Sequence, residues 1–272
     1  EPQRVGYIFK VAFQCSVSFA AFRFHSISHI PWNHFGRKSI GYLYAVANGA
    51  ETIFDFDDDN HLTVANFTVF ERMQRLDVQT QHHIYNPYPF FEPEANGEKT
   101  FAWPRGQSLQ WVKDAATYEV STVASNVSFP RLAVVQSLAN HDPDVDAIYR
   151  MTRKLPLSFS KTETIVVPPK GTFTPWNAQA VLIHHPAFFG MLLPITVTGR
   201  VSDIWRSYIT TRLLWETDYR VAFSSPVVTQ LRNPHSYQRD LEDEKDLYFR
   251  TDFLLTTLAD WTSNKCERLD DA

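Results

Sequence analysis

The sequence predicts an α/β chain in which a mixed, mostly parallel sheet is flanked by helices, and three observations carry that reading. Apolar runs of strand character alternate with stretches of helical spacing. Long loops rich in proline, asparagine and aromatic residues separate them. The first clear strand ends in a cluster of carboxylates, which is where an open α/β sheet presents a ligand.

Taken in order, residues 1–35 are apolar, and Val5 to Phe22 is their most apolar stretch. Lys10, Gln14 and several serines interrupt it, so buried strand and helix are expected there rather than a signal or anchor segment. Gly36 to Gly49 reads as a helix with Ile40, Leu43, Tyr44 and Ala47 at helical spacing, and Asn48-Gly49 ends it. The strand Glu51-Thr52-Ile53-Phe54 then delivers Asp55-Phe56-Asp57-Asp58-Asp59. Tyr85 to Gly106 reads as a long ordered loop. Arg131 to Arg153 holds an apolar segment and a second acidic turn, Asp142-Pro143-Asp144-Val145-Asp146. Val181 to Leu193 reads as a strand. Ser202 is expected to cap a helix from Asp203 to Glu216, with Ile204, Tyr208, Thr211, Leu214 and Trp215 as its buried stripe. Tyr219 to Phe223 reads as a strand broken at Ser225-Pro226, and Leu247 to Trp261 as a closing amphipathic helix.

At 272 residues the chain is long enough for one large domain or two small ones, with an ample core. A net charge of −4 without a basic stripe argues against nucleic acid as a partner. Cys15 and Cys266 stand near opposite ends without metal-ligand spacing, so one long-range disulfide and two free thiols are both open. The sequons Asn66-Phe67-Thr68 and Asn126-Val127-Ser128 permit a lumenal address.

Four acids in five positions repel one another, and a cation relieves that repulsion. Their hard oxygens suit Mg²⁺ or Mn²⁺, which in turn suit a diphosphate, so the segment points to a nucleotide-sugar site. A solvated turn at Asp58-Asp59-Asn60 is the plain alternative. A phosphohydrolase with an aspartate nucleophile is the third reading, but Asp59 stands where that chemistry wants a small hydroxyl residue.

Several segments together resemble the STELLO family. They are Arg37 to Ala45, Ile53 to Asp58, Trp103-Pro104-Arg105-Gly106, Pro143 to Asp146, Ser202 to Tyr208, Arg212 to Glu216 and Glu244 to Leu247, in that order. This resemblance, over roughly residues 24–260, implies a single GT-A-like domain of the nucleotide-diphospho-sugar transferase type across residues 1–272. It further implies a divalent metal, Mn²⁺ or Mg²⁺, and a UDP- or GDP-sugar donor. The acceptor would be a glycan or a protein. The family consists of Golgi type II membrane proteins, which implies a Golgi-lumen location with the anchor outside this chain. Its plant members are associated with assembly of the cellulose synthase complex, so a polysaccharide synthase complex is an implied partner. The family's Gly-Asp-x-Lys-Thr-Pro segment, which follows a strand and helps hold the nucleotide base, has no counterpart in residues 1–23. Asp59 is an extra acid where plant members carry other residues.

In a GT-A site an Asp-x-Asp pair holds the metal against the donor's phosphates. The resemblance puts Asp55 and Asp57 in that role, with Asp57 the best direct ligand and Asp58 beside them. Lys38, Arg37 and Arg105 are donor-binding candidates, Lys38 because it starts the helix before the acidic strand. Asp203 is the candidate general base of an inverting transfer, and its plain reading is an acid favouring a helix dipole. His235 is the candidate third protein ligand of the metal. Asp144, Asp146, Trp176 and Asn177 are acceptor-binding candidates. His184-His185 read as core or pocket residues. Two functions remain: a metal-dependent glycosyltransferase, or a scaffold that keeps the shape without donor turnover.

Overall fold

The computed structural model describes residues 28–160 and 162–262. The Val5 to Phe22 stretch, the base-binding segment sought in 1–23, and both cysteines lie outside the described residues. The strands are β1 (Thr52–Phe56), β2 (Asn60–Leu62), β3 (Gln74–Gln79), β4 (Glu94–Ala95), β5 (Glu98–Lys99), β6 (Ser121–Ala124), β7 (Leu132–His141), β8 (Leu157–Ser158), β9 (Thr164–Val167), β10 (Ala180–His184) and β11 (Arg220–Gln230). The helices are α1 (Lys38–Ala47), α2 (Val69–Arg72), α3 (Ala147–Thr152), α4 (Gly199–Leu214), α5 (Tyr237–Asp243) and α6 (Lys245–Asp260).

One mixed sheet organises them. Its path runs β5-β4-β8-β7-β11-β9-β3-β6, with β10 on β7, β1 on β10 and β2 on β11. The β7–β11 and β3–β9 ladders are parallel and the others among the described residues are antiparallel. The sheet is therefore mixed, as expected, but poorer in parallel ladders than expected. The short β4–β8 pairing joins the long 85–106 loop to the sheet, and the tight β4–β5 hairpin within that loop can only be antiparallel.

Period-two alternation sorts the central strands onto two faces. Ile53, Val134, Val181, Ile183 and Phe223 join α1 residues Tyr42 and Ala45 in one cluster. Phe54, Phe56, Val135, Leu182 and Ala222 form the other with Phe70. A third cluster, with Tyr208 and Leu247, ties α4 to α6. Since side chains two apart share a face, Asp55 shares the face of Ile53 and lies under α1.

Several element limits differ from the sequence reading for local reasons. A short 3-10 turn, Phe35–Arg37, precedes α1, whose buried row is Lys38, Tyr42 and Ala45 rather than Ile40, Leu43, Tyr44 and Ala47. The helix is rotated because its lysine finds buried carboxylates. α4 starts at Gly199 with Thr198 at its N-cap, and Ser202 donates to the Pro194 carbonyl at 2.6 Å instead of capping. Asp203 accordingly sits in the second turn, and Trp215 lies just past the helix, half-buried. β10 ends at His184 because Pro186 cannot donate to a ladder, and a 3-10 segment, His185–Met191, follows. β11 runs through Ser225-Pro226 to Gln230, its register with β7 shifting between Ser224 and Val228, which is how a strand accommodates a proline.

The 85–106 loop is ordered, as read. Asn86 Nδ2 donates to the Ala102 carbonyl, and the Arg105 amide donates to the Asp144 carbonyl at 2.8 Å. Its last glycine is required twice over. Gly106 has φ +87°, and a Cβ there would lie 2.3 Å from Ile204 Cγ2 on α4. Gly106→Ala should destabilise the fold by about 2–4 kcal/mol, read by chemical denaturation, and Ile204→Ala in the same chain should relieve part of that loss.

Candidate functional site

β7 and β11 are parallel, and β1 points the same way because it pairs antiparallel to β10, itself antiparallel to β7. Their three C-terminal ends meet at one edge, where a cavity of about 500 Å³ opens. The turn after β1 contributes Asp57, Asp58 and Asp59, and the loop after β7 contributes Asp144. The loop after β11 contributes Arg232 and His235, and the first turns of α4 contribute Arg200 and Asp203.

Beneath the acidic run lies a buried ion cluster. Lys38 sits one helical turn before Tyr42 on the row of α1 that faces β1, so both reach the strand's carboxylates. The Lys38 Nζ lies 2.9 Å from Asp55, 3.1 Å from Asp57 and 2.8 Å from the Ala178 carbonyl, and the Tyr42 hydroxyl donates to Asp55 at 2.5 Å. Burial alone would lower the Lys38 pKa, but Asp55 and Asp57 outweigh it and hold the ammonium above its ordinary value. Desolvation, with the Asp55 charge added, pushes Asp57 up to about 6 against the pull of Lys38. Its side chain keeps a third of its surface open to the cavity, so solvent limits the desolvation part of that rise.

A second cluster closes the floor. Arg105 donates to Asp144 through Nε at 2.8 Å and Nη2 at 2.9 Å, and to Asp203 through Nη1 at 3.1 Å and Nη2 at 2.9 Å. Burial would raise the Asp144 pKa, but the Arg105 guanidinium outweighs it and holds the carboxyl below its usual range. Asp203 also accepts from the Ala178 amide at 3.2 Å and from the Ile204 amide at 3.0 Å. Two donors on each oxygen fill the carboxylate's four lone-pair directions.

Around the mouth, Arg200 is bound to Glu244, and His235 faces Asp240 through Nδ1. Burial, followed by the nearby Arg232 charge, lowers the His235 pKa. Gln230 Nε2 donates to Asp59 at 2.9 Å. Arg232 lines the cavity, and among the described residues no ion pair or hydrogen bond holds its guanidinium. Burial lowers its pKa to about 10, with the Arg150 and Arg200 charges adding to the effect.

The candidates therefore divide. Asp57, Asp58, Asp144, Asp203, Arg105 and His235 meet at the cavity. Asp55 is 1% exposed and faces Lys38 and Tyr42 rather than the cavity, because it lies within β1 under α1 whereas Asp57 lies just past the strand's end. Lys38 is likewise buried beneath the site, satisfied by three acceptors. Arg37 stacks on Trp32 at 4.1 Å and does not line the cavity. Arg105 reaches the cavity with its guanidinium spent on two carboxylates. Asp146 accepts from the Tyr149 amide as the N-cap of α3 and from Trp103 Nε1 at 2.6 Å, and lies outside the cavity. Trp176 is a core residue, with Nε1 on Thr211 and Arg206 stacked at 4.3 Å. Asn177 caps its own turn, accepting from the Gln179 amide, and does not line the cavity. Of the pair read as core or pocket residues, His184 is half-buried against the core, where burial lowers its pKa to about 4, whereas His185 is exposed. Sequence reasoning missed Arg232. Its signal was a cation directly after a strand that ends at the site, beside the histidine already singled out.

A divalent ion would meet hard oxygens from Asp57 and Asp58 in this cavity. No three ligating side chains among the described residues converge on one point. That donor set fits an ion of the Mg²⁺ or Mn²⁺ kind, which binds through one or two carboxylates and completes its coordination with phosphate and water.

A sheet of this mixed kind flanked by helices, with acids at its strand ends, is consistent with a glycosyltransferase of the GT-A-like class. The comparisons point the same way. The profile of the STELLO glycosyltransferases matches residues 200–272. Probable glycosyltransferase STELLO2 of Arabidopsis thaliana is 32% identical over 265 residues, covering 90% of this chain and 33% of that protein. Probable glycosyltransferase STELLO1 of the same plant is 31% identical over 258 residues, covering 88% of this chain and 32% of that protein. The chain is thus a relative of the STELLO glycosyltransferases, and it spans about a third of the length of these curated relatives.

Two outcomes follow from the ion cluster. Lys38→Met should destabilise the fold by about 3–5 kcal/mol, read by denaturant unfolding, since it leaves Asp55 charged and buried without its cation. The Asp57 pKa is raised on folding, so the folded state binds more protons than the unfolded chain between about pH 4 and pH 6. Its contribution to stability therefore falls as pH rises through that window. The melting difference between wild type and Asp57→Asn should shift against wild type from pH 4 to pH 6 and stay level above.

Proposed function

We propose that this cavity binds a nucleoside-diphosphate sugar, UDP- or GDP-linked, and passes the sugar to a hydroxyl of a glycan or protein. The observation that carries the reading is the presence of opposite chemistries in one cavity: Asp57 and Asp58 line it together with Arg232, which has no ion pair or hydrogen bond among the described residues. Asp57 and Asp58 would hold Mn²⁺ or Mg²⁺, which when bound offsets charge on the departing nucleoside diphosphate. Arg232, rather than Lys38 or Arg105, is the cation free to take a phosphate oxygen. His235 stands on the Arg232 side of the mouth, where it would face the same phosphates.

Asp203 remains the candidate base for an inverting transfer, and its four donors define what that role demands. One bond from Arg105 or a backbone amide must open before the carboxylate can take the acceptor's proton. The same saturation favours a second reading, a chain that keeps the cavity without turnover and assists assembly of a polysaccharide synthase complex. Location in the Golgi lumen, with a membrane anchor outside this chain, is part of the proposal. Asn66 and Asn126 are both exposed, as glycan acceptors there would need to be.

Calorimetric titration of UDP and GDP with and without Mn²⁺ tests the reading. Metal-dependent binding should be lost in Asp57→Ala and weakened about tenfold in Arg232→Ala. Given such binding, Asp203→Asn separates the two functions. Transfer activity in the wild type that collapses in the variant at unchanged nucleotide affinity supports the base. No binding of either nucleotide by folded protein overturns the donor site.

A further inference from the structure

A second cavity, of about 360 Å³, opens at the other edge of the sheet and shares no lining residue with the first. β3 is parallel to β9, and β9 is antiparallel to β11, so the loop following β3 emerges away from the end where β11 meets the acidic run. Phe173, on the floor of this cavity, packs against Tyr208 and Trp215 at the C-terminal end of α4. The N-terminal turns of α4 face the first cavity. The two sites thus lie toward opposite ends of the same helix.

The lining has a definite chemistry. Ile84, Phe173 and Leu255 make an apolar floor, each no more than 7% exposed. Trp111 forms a wall and keeps 39% of its surface open. Gln81, Gln110, Asp252 and Asp260 form the rim. No hydrogen bond or ion pair to another described residue engages their side-chain amides and carboxylates, and the Trp111 indole N–H is equally unengaged. The volume falls within the range of small-ligand sites, about 300–1,000 Å³.

An indole face beside an apolar floor accepts the C–H face of a pyranose ring. Planar amides and carboxylates at the rim match vicinal hydroxyls, each offering two acceptors or a donor and an acceptor. Asp252 and Asp260 disfavour phosphate, and apart from His82 and His83 no basic residue lines this cavity, which separates it from the one lined by Arg232. We propose that it is a noncatalytic binding site for a neutral oligosaccharide. The proposal does not rest on sugar transfer at the first cavity, since its chemistry requires neither metal nor nucleotide.

Titration with three neutral probes, cellohexaose, xylohexaose and mannohexaose, followed by calorimetry and tryptophan fluorescence, tests it. At least one probe should bind saturably without metal. Its affinity should fall about tenfold in Trp111→Ala and also fall in the rim double variant Gln110→Ala/Asp260→Asn. Both rim positions are exposed, so the double variant keeps the test open if Trp111→Ala fails to fold. Binding should be unchanged in Arg232→Ala. No binding of any probe by folded protein overturns the proposal. Binding that survives the Trp111 and rim variants, or that is lost in Arg232→Ala, overturns it as well by placing the saccharide elsewhere.

Discussion

A single buried ammonium joins the helix before the first strand to the carboxylates at that strand's end. Lys38 is 2% exposed; it donates to Asp57 and the carbonyl of Ala178 and forms an ion pair with Asp55. Removing a charge from water costs several kcal/mol, so the cluster holds only where all three acceptors converge. That requirement fixes the rotation of α1, the direction of Asp55 and the approach of the segment before β10. The rest of the cavity is built outward from it.

The Arg105 cluster works in the same way on the other wall. One guanidinium, delivered by a loop whose glycine lets it press against α4, holds Asp144 after β7 and Asp203 on α4. Three distant parts of the chain are fixed by one planar group with five donors in a fixed fork. Both clusters neutralise acids that would otherwise repel one another beneath the cavity, and they leave Asp57 and Asp58 on its surface. Arg232 also lines the cavity and has no ion pair or hydrogen bond among the described residues; its guanidinium is crowded by Arg150 and Arg200 and drawn toward Asp142 and Asp144. An anionic ligand held by a bound cation and Arg232 would relieve the repulsion among the acids and among the arginines.

The two cavities differ in the physics available to them. The first is a charged cleft at the carboxyl ends of aligned strands, where strand direction and helix starts converge. The second is a neutral-to-acidic hollow with an aromatic wall, formed where a loop, a 3-10 turn and the outer face of α6 meet.

The sequence by itself determined the alternation of helix and strand, the ordered 85–106 loop, and the acidic run as the centre of a site. Those are local facts: spacing, turn residues and charge density are properties of neighbouring positions. It also carried enough order in its motifs to place the chain beside its family. Only the tertiary structure decided which acids face the cavity. Asp55 and Asp57 lie two positions apart, yet the first is sealed under α1 and the second reaches solvent, because β1 ends between them. Arg105 was a donor-binding candidate and is saturated, while Arg232 passed unnoticed and has no ion pair or hydrogen bond among the described residues. Asp146 and Trp176 looked like acceptor contacts and are a helix cap and a core ring. A charge's role depends on the partners brought from far along the chain, Ala178 to Lys38 or Asp203 to Arg105, and no spacing between neighbours records those meetings.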